Sequence, residues 1–503
     1  MGCGCSNNAS ILNNENISRL KRENSNILIN KKKLIGNNIK TLEENYEILT
    51  KLYDGEHSNI FLVRYKPTDQ KRLLKIMEKK FVQNINSNDN NNAKKCEEIE
   101  ILSNLDHPNI VKIFDYFSDA DNYYLVLEYV TGNNLIEIVE TNEEDVNLKN
   151  YYQKIMKQIF SVMIYLHSHN IIFRNLKADN IIILNDSYDL KIVGFTAAYH
   201  LSNNLDENNS FPYVYFSNSV PYLSPEYLKK KYSYESDLWS CGVILFFLVF
   251  REPPFFNSNI EITKKYIKYC KLSRNLNELD KTPEGKTTKN LLNQLLVIDP
   301  SQRIKEDKIF SSDFFKLNKN VDSNFQNASL SLYNFSKEKL KIATQSFIIH
   351  QIEQNENITK LRAAFEKMDK SGEGLVSKEE LGKMSQEVFG TALSNIELDN
   401  LFNQIDIDKS GTISFEEFLR VTIDKNTITK KKNLKNAFNY FDKDGSGKLS
   451  EKELYNIFSS NDKNDQKNNE ILEYVKDTIT KYDVNKDGEI DFDEFVMMMT
   501  SNL

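Results

Sequence analysis

From residue 358 to its end, the chain repeats one twelve-residue pattern four times, and this repeat restricts the fold more than any other sequence feature. In each copy, an Asp at position one, a Gly at position six and a Glu at position twelve lie between segments with helical periodicity. Position eight is always apolar, which suits a short strand that pairs with a neighbouring loop. The loops begin at Asp369, Asp406, Asp442 and Asp483 and end at Glu380, Glu417, Glu453 and Glu494. The pattern predicts an all-helical region of four helix–loop–helix units.

The oxygen-bearing residues of these loops follow the EF-hand pattern. In that motif, positions 1, 3, 5 and 12 offer side-chain oxygens to Ca²⁺, position 7 offers a backbone carbonyl, and the glycine allows a sharp turn. The remaining predicted ligands are Ser371, Glu373 and Leu375 in the first loop, Asp408, Ser410 and Thr412 in the second, Asp444, Ser446 and Lys448 in the third, and Asn485, Asp487 and Glu489 in the fourth. We expect up to four calcium ions. The alternative is a set of acidic surface loops without metal.

The four loops differ in the charge of their ligands. The fourth has the fullest oxygen set, including Asp491, whereas the first has Ser371 and Glu373 at positions three and five. Because ligand charge tunes affinity, we expect the first loop to bind calcium most weakly and the fourth most tightly, within the roughly 10⁻⁷–10⁻⁵ M range of sensor EF-hands. The methionines at 497–499 either fill the core of the last helix or line a groove for a partner.

A second block of motifs lies between residues 46 and 315. The string at 173–180, Phe-Arg-Asn-Leu-Lys-Ala-Asp-Asn, reads like the protein-kinase catalytic loop H-R-D-L-x-x-x-N, with Asn175 at the position of the catalytic Asp. Gly194 stands where the D-F-G motif has its metal-binding Asp. A neutral amide cannot accept the hydroxyl proton, a role worth roughly 10²–10⁴ in rate, and glycine has no side chain for magnesium. Both positions are predicted to be non-functional in phosphoryl transfer.

Part of a nucleotide site remains. Lys75 fits the strand lysine that reaches the α- and β-phosphates, and Glu98 fits its helix partner, although the two could equally form a purely structural ion pair. Lys177 and Asn180 also remain in the catalytic-loop string. Weak nucleotide binding with one metal ion therefore stays open.

Other positions in the same region disfavour a nucleotide. Where a kinase has its glycine-rich loop, this chain keeps only Gly55, because Tyr53 and Ser58 replace the outer glycines. Its backbone amides should therefore cradle phosphates poorly. Leu73 replaces the small Ala that roofs the adenine, and its bulk should crowd the base.

Downstream motifs predict an intact helical lobe. The string Ser-Pro-Glu at 224–226 matches A-P-E, Arg303 is placed to pair with Glu226, and Asp237 begins the D-x-W-S-x-G motif that anchors the catalytic loop. Phe173 and Phe195 are apolar at the two positions that stack between the lobes. The framework is kept while the reactive groups are replaced.

Residues 337–352 join the two blocks and are predicted to form a basic amphipathic helix. Leu340, Ala343, Phe347 and Ile348 fall at helical spacing, and lysines cluster at the start of the segment. Such a helix suits the groove of an opened EF-hand pair. The alternative is a helix that merely packs on one lobe.

The first six residues, Met-Gly-Cys-Gly-Cys-Ser, fit the pattern for N-myristoylation at Gly2. Cys3 and Cys5 are candidate palmitoylation sites. One myristoyl chain holds a membrane only marginally, so a second acyl chain or the lysine run at 31–33 would make the attachment stable. We expect membrane association on the cytoplasmic side; the alternative is an unmodified tail.

The composition limits the remaining classes of function. A net charge of −7 argues against bulk nucleic-acid binding, and no nucleic-acid partner is expected. The longest apolar run, residues 241–250, is too short to cross a bilayer, which needs about 20 residues, and reads as a buried helix. Five cysteines without a disulfide framework or a signal peptide indicate a reducing compartment.

Acylated tail, kinase-like region, joining helix and four EF-hands, in this order, resemble the calcium-dependent protein kinases of plants and protozoan parasites. The resemblance covers nearly the whole chain after residue 45, and the string Leu-Asp-His-Pro-Asn-Ile at 105–110 adds to it. It implies a nucleotide hinge from Glu128 to Val130, with Leu127 as gatekeeper. It also implies a junction helix that blocks the kinase until calcium makes the EF-hand domain refold around it.

The predicted fold is an α+β bilobal protein-kinase-like domain at 46–315, followed by an all-α four-EF-hand, calmodulin-like domain at 358–503. Residues 1–45 are expected to form an acylated, mostly disordered tail, and 316–357 a linker with the junction helix. The predicted function is a membrane-anchored calcium sensor whose pseudokinase domain is a scaffold or allosteric regulator for an unidentified protein partner. The rival is an active calcium-dependent Ser/Thr kinase with unusual ATP and magnesium handling. A third interpretation is a calcium buffer stabilised by a kinase-like scaffold.

Overall fold

The computed structural model describes residues 35, 41–55, 58–85, 96–141, 146–184, 188–201, 217–316, 338–352, 356–389, 393–459 and 465–501. They belong to two compact units that alternate along the chain. The first unit contains the described residues among 35–331 and 354–418, and the second those among 332–353 and 419–503. The predicted acylation sites Gly2, Cys3 and Cys5 lie outside the described residues.

A five-stranded antiparallel sheet forms the N-terminal part of the first unit, in the order β1-β2-β3-β5-β4. The strands are β1 Tyr46–Asp54, β2 Ser58–Tyr65, β3 Gln70–Glu78, β4 Ile113–Ser118 and β5 Asn122–Glu128. Helices Thr41–Asn45, Lys79–Ile85 and Glu97–Leu102 accompany them. One face of the sheet buries Val63, Leu74, Phe117 and Val126. Because side chains alternate along a strand, Lys75 points to the opposite face from Leu74.

Helices dominate the C-terminal part of the kinase-like region. They are Leu135–Thr141, Val146–Ser168, Tyr234–Phe250, Ile260–Lys268, Pro283–Leu295, Glu306–Ile309 and Asp313–Lys316. Short strands also occur here: β6 Asn133–Asn134, β7 Ile171–Ile172, β8 Ile181–Ile183, β9 Leu190–Ile192 and β10 Tyr199–His200. The helix Tyr234–Phe250 contains the apolar run and is buried from 236 to 248, as predicted. Among the described residues, no helix has the length and apolar character to cross a membrane.

Both predicted pairs of helix–loop–helix units are present. The first pair has helices Glu356–Met368, Lys378–Phe389, Asn395–Ile405 and Phe415–Thr422. The second has helices Lys431–Phe441, Glu451–Phe458, Asp465–Tyr482 and Phe492–Thr500, and strands β11 Lys448–Leu449 and β12 Ile490–Asp491. Helices Lys339–Gln351 and Lys425–Thr429 complete the second unit. The apolar eighth positions pair antiparallel, Val376 with Ile413 and Leu449 with Ile490. The predicted fold class is confirmed.

Two buried carboxylates hold the helical part of the kinase-like region together. Asp237 accepts hydrogen bonds from the backbone N–H groups of Phe173 and Arg174 at 2.8 and 2.9 Å. Glu226 accepts two hydrogen bonds from the Arg303 guanidinium, at 2.8 and 3.2 Å. Removing one partner of such a buried pair costs about 3–5 kcal/mol, because the other charge is left uncompensated.

His167 is held between two carboxylates, those of Asp237 and Glu306, and is hydrogen bonded to both. Burial alone would lower the pKa of His167, but the hydrogen bonds and charges of the two carboxylates outweigh burial and raise the pKa to about 9. The unfolded reference value is about 6.5. The stabilisation from the charged imidazole is therefore fully present below pH 6.5 and is lost as the pH rises through 9.

We expect the free energy of unfolding to fall by at most about 3 kcal/mol between pH 6.5 and 9. Glu306→Gln should flatten this decline, since it lowers the folded pKa of His167 toward its unfolded value. Denaturant unfolding at a series of pH values measures the slope, and NMR titration of the imidazole measures the pKa. His167→Asn, which has no titrating group, is the control. A His167 pKa near 6.5 in the wild type would show that the prediction is wrong.

Candidate functional site

Lys75 and Glu98 form a buried ion pair between β3 and the helix Glu97–Leu102. The Lys75 Nζ lies 2.8 and 2.7 Å from the two carboxylate oxygens of Glu98, and both residues are buried. The same ammonium donates to Thr196 Oγ1 at 2.8 Å. An ammonium has three donors, so protein groups satisfy all three where the matching kinase lysine would reach phosphate. No sequence motif predicts this contact of Thr196.

Neutral groups connect the two positions that lack carboxylates. Asn180 Nδ2 donates to the backbone carbonyl of Asn175 at 2.9 Å, and the Oδ1 of Asn175 accepts from Ser219 Oγ at 2.9 Å. Gly194 has a φ of +84°, a left-handed conformation that disfavours side chains. A Cβ at Gly194 would lie 2.7–2.8 Å from the amide atoms of Asn180. The Asn180 side chain therefore packs on the bare Cα of Gly194, and any side chain there would require Asn180 to move.

The residues at these positions do not fit the paired magnesium ions of a kinase. Magnesium in phosphoryl-transfer sites is bound through carboxylates in a near-ideal octahedral geometry. Asn175, Asn180 and Gly194 together offer amide oxygens and no carboxylate side chain. Lys177, 3.9 Å from the partly exposed Asp179 carboxylate, is buried, and burial outweighs that charge to lower the pKa of the lysine.

In the described part of the turn between β1 and β2, the amide of Gly55 is not free for a phosphate. The N–H of Gly55 donates to the carbonyl of Ser58 at 3.1 Å, so this amide is used within the turn. The ring of Tyr53 lies against Gly55, where an added Cβ would overlap it. Positions 56 and 57 are outside the described residues. On the next strands, Leu73 is paired with Leu127, the predicted gatekeeper.

Glu128, which is partly buried, forms an ion pair with the buried Lys191, and the sequence did not reveal this pair. Its carboxylate lies 2.9 Å from Lys191 Nζ and accepts from the backbone N–H of Lys112 at 3.1 Å. Burial would raise the pKa of Glu128, but Lys191 and Lys112 outweigh it and lower the pKa. Burial also lowers the pKa of Lys191 to about 8. The only sequence signal was a lysine between two apolar residues in β9. Val130, at the other end of the predicted hinge, packs against the main core.

The contact predicted between the lobes is present. The rings of Phe173 and Phe195 meet edge to face with centroids 4.9 Å apart, and both rings are fully buried. Edge-to-face pairs add about 0.5–1.5 kcal/mol beyond area burial. The packing framework of a kinase is thus formed around a site without its carboxylates.

The acidic residues of the second and third loops converge as calcium ligands require. In each of these loops the carboxylate oxygens lie within 4.8 Å of one another, from Asp406, Asp408 and Glu417 and from Asp442, Asp444 and Glu453. Burial raises the pKa of Glu417 to about 7. A calcium ion would favour its ionised form, so the donor set fits calcium.

The first and fourth loops share a common hydrogen-bond pattern. Asp369 and Asp483 accept from the N–H of the position-six glycine at 2.7 and 2.8 Å. Glu380 and Glu494 reach back to N–H groups near the start of their loops, each at 2.8 Å. The position-one and position-twelve carboxylates therefore face the same loop interior. The position-seven residues are Leu375, Thr412, Lys448 and Glu489.

Within the first unit, the first loop packs directly against the kinase-like region. A Cβ on Gly374 would overlap the imidazole of His107, and one on Gly372 would overlap the ring of Phe310. Leu375 packs on the main kinase-like core. Gly372 and Gly374 of the first loop are therefore covered by side chains of the kinase-like region.

Polar contacts extend this interface around the string 105–110. The guanidinium of Arg362 donates to the carbonyl of Pro108 at 2.7 Å, and Arg362 is buried. The N–H of Glu416 donates to Asp106 at 2.8 Å, and the Glu416 carboxylate lies 3.5 Å from Lys112 Nζ. The first EF-hand pair and the segment that follows Glu98 are thus joined by apolar, hydrogen-bond and charge contacts.

In the second unit, the helix Lys339–Gln351, which we call the junction helix, is enclosed by the second EF-hand pair. Phe347 stacks on Tyr440 with ring centroids 4.5 Å apart. The N–H of Leu340 donates to the Tyr474 hydroxyl at 2.9 Å, and Lys341 Nζ donates to the carbonyl of Ser501 at 2.7 Å. Within this unit, the junction helix therefore contacts residues of the second EF-hand pair and of the segment that follows it.

Burial of the junction helix differs from the amphipathic pattern expected. Eleven of its thirteen residues are buried, including Lys341 and the fully enclosed Gln345. Lys341 is accommodated because its long stem reaches an acceptor at the C-terminal end of the chain. Lys337 lies outside the described residues. Of the methionines at 497–499, Met498 and Met499 are core residues, whereas Met497 is 43 % exposed.

Comparisons with known proteins agree with these arrangements. A family model described as protein kinase domain matches residues 46–315, and one described as EF-hand domain pair matches 358–423 and 431–500. The chain is 29 % identical over 490 residues to calcium-dependent protein kinase 4 of Plasmodium falciparum (isolate 3D7), with 92 % of this chain and 88 % of that protein covered. It is 31 % identical over 475 residues to calcium-dependent protein kinase 5 of the same organism, with 91 % and 78 % covered. Calcium-dependent protein kinase 3 of Plasmodium berghei (strain Anka) is 30 % identical over 450 residues, with 86 % and 77 % covered.

Fold and loops together define a protein with a kinase domain joined to two EF-hand pairs. The chain belongs to the calcium-dependent protein kinase family. The predicted family is therefore confirmed.

We expect Gly374→Ala to weaken the contact between the first loop and His107. Gly411→Ala is the matched control, because Gly374 and Gly411 both occupy position six with φ near +74° and +85°, yet a Cβ at Gly411 meets nothing within 4 Å. Both variants therefore introduce similar backbone strain. Only Gly374→Ala also overpacks the interface, which should destabilise the protein by about 1–3 kcal/mol. Hydrogen exchange across 105–112 in the full chain should increase for Gly374→Ala alone. Equal increases in the two variants would contradict the prediction.

Proposed function

We propose that this protein is a calcium sensor whose kinase-like domain transfers no phosphate and instead regulates a protein partner. The packing of the Asn180 amide on Gly194 carries the proposal. Where a kinase needs a carboxylate for its metal ions, an amide fills the space beside a residue without a side chain. Where it needs a base, Asn175 is engaged by Ser219. Either loss alone would cripple turnover.

The intact framework supports a binding role for the domain. The ion pairs Lys75–Glu98, Glu128–Lys191 and Glu226–Arg303, in which at least one partner is buried, keep both parts of the domain in a defined shape. In each of these pairs both charged groups belong to protein side chains, so neither a nucleotide nor a metal ion is needed to complete the pair. A domain of fixed shape without turnover suits a scaffold or allosteric regulator.

The rival function is calcium-dependent phosphoryl transfer with atypical handling of ATP and metal. Two observations favour it: the Lys75–Glu98 pair and the Phe173–Phe195 contact, which an active kinase also needs. The relatives' names point the same way, since each is called a calcium-dependent protein kinase.

A phosphotransfer assay separates the two functions. Full-length protein is incubated with γ-labelled ATP and a general protein substrate, with magnesium or manganese, in calcium and in chelator. We expect labelling at background in every condition, and the same background for Lys75→Ala. Calcium-stimulated labelling that Lys75→Ala abolishes would establish the rival. Thermal shift with ATP and either metal reports binding separately from turnover.

The enclosed junction helix supports a calcium switch. Calcium that binds the second EF-hand pair more tightly when this pair encloses the helix would shift the protein toward the enclosed state. The switch would change which surface of the kinase-like domain is open to a partner. Only differential calcium affinity for the two states is required.

Phe347→Ala should loosen the junction helix, because it removes a buried ring stacked on Tyr440. Truncation of a buried Phe costs about 3–5 kcal/mol. Hydrogen exchange of residues 339–351 in calcium should rise, and the calcium midpoint should move to higher concentration. Ser346→Ala, at a partly buried position of the same helix, is the control. Exchange in this segment that responds neither to calcium nor to Phe347→Ala would instead favour a calcium buffer.

Membrane attachment through Gly2, Cys3 and Cys5 completes the proposal. It rests on the N-terminal motif, since one acyl chain binds marginally and two bind stably. Intact mass measurement of the mature protein tests it, and a protein without acyl mass at Gly2 would refute attachment by myristate.

A further inference from the structure

Lys448 links the third and fourth calcium loops through its side chain. The strands β11 and β12 place Lys448 opposite Asp491 and Leu449 opposite Ile490. From this position in the third loop, Lys448 Nζ reaches across to the fourth loop, 2.7 Å from Asp487 Oδ2 and 4.0 Å from Glu489 Oε2. The ammonium of Lys448 in the third loop thus binds Asp487, a predicted calcium ligand of the fourth loop.

The backbone carbonyl and the side-chain ammonium of Lys448 each lie at a predicted calcium-ligand position, in the third and the fourth loop respectively. Its backbone carbonyl is the predicted position-seven ligand of the third loop. Its ammonium lies on Oδ2 of the position-five carboxylate, Asp487, in the fourth loop, and Oδ1 of the same carboxylate accepts from the backbone N–H of Glu489 at 3.1 Å. The ammonium and a calcium ion cannot both take Oδ2 at bonding distance, since like charges would then lie side by side.

We propose that Lys448 is an internal competitor for calcium at the fourth loop, and that it lowers the affinity of this loop and couples it to the third. Calcium entering the fourth loop competes with the ammonium for Oδ2 and for the negative charge of Asp487. Calcium in the third loop fixes the backbone of Lys448 and so alters where its side chain can reach. The inference rests on calcium binding by these loops, and is independent of whether the kinase-like domain transfers phosphate.

This competition bears on the order of affinities predicted from ligand charge. By ligand count the fourth loop is the strongest, but count alone ignores a lysine supplied by the neighbouring loop. The side chains of Lys448 and Asp487 are 39 % and 32 % exposed, so solvent screens the pair. We expect a modest effect, about twofold to fivefold in calcium midpoint.

The test follows individual loops in the full chain by ¹⁵N-glycine labelling, which is tractable with 16 glycines. The N–H groups of Gly447 and Gly488 donate to the position-one carboxylates of the third and fourth loops at 2.9 and 2.8 Å. Their resonances report calcium at each loop separately. Lys448→Met should move the Gly488 midpoint about twofold to fivefold toward lower calcium. Lys486→Met, which removes an exposed charge from the fourth loop itself, should produce a smaller shift.

Asp487→Asn provides the decisive background, because Asn still offers an oxygen at position five but holds an ammonium weakly. There, Lys448→Met should lose most of its effect on the Gly488 midpoint. Equal shifts from Lys448→Met and Lys486→Met would overturn the proposal, as would an undiminished shift in the Asp487→Asn background. A Gly488 resonance that never responds to calcium would also overturn it, and would locate the failure in the fourth loop as a calcium site.

Discussion

The side-chain amide of Asn180 lies against the bare Cα of Gly194 in the kinase-like cleft. It closes the space where a metal-binding carboxylate would begin, and it ties Asn180 to the carbonyl of Asn175. Asn175 is in turn held by Ser219. This chain of neutral hydrogen bonds satisfies groups that would otherwise need water or a metal ligand. Asn180, Asn175 and Ser219 therefore have hydrogen-bond partners within the protein.

The shape of the domain does not depend on the missing carboxylates. Buried ion pairs such as Glu226–Arg303 are costly to break from one side, since the remaining charge would stay desolvated. Asp237 holds the backbone of the catalytic-loop string by its N–H groups, whatever side chain follows at Asn175. The residues that hold the fold are thus different from those at the catalytic positions, and a substitution at a catalytic position leaves the fold-holding contacts intact.

The sequence predicted what local spacing determines. The register of the twelve-residue loops fixed the pairing of Val376 with Ile413, and motif spacing placed Lys75 opposite Glu98. Contacts between distant segments escaped prediction, because no period or motif records them. Lys191 with Glu128 and Glu306 with His167 are of this kind. So is the grouping of the first EF-hand pair with the kinase-like region and of the second pair with the junction helix, which chain order does not predict.

This division changes how the four loops should be compared. The first loop has its glycine faces covered by His107 and Phe310 of the kinase-like region, whereas the second EF-hand pair encloses the junction helix. The first loop and the second EF-hand pair therefore offer calcium different surroundings, and affinity includes the free energy of whatever packing the ion favours or opposes. Ligand charge, which the sequence supplies, is only one contribution. Two loops with similar ligands can respond at different calcium levels because the protein packed around them differs, and a sensor built this way can order its responses without altering its ligands.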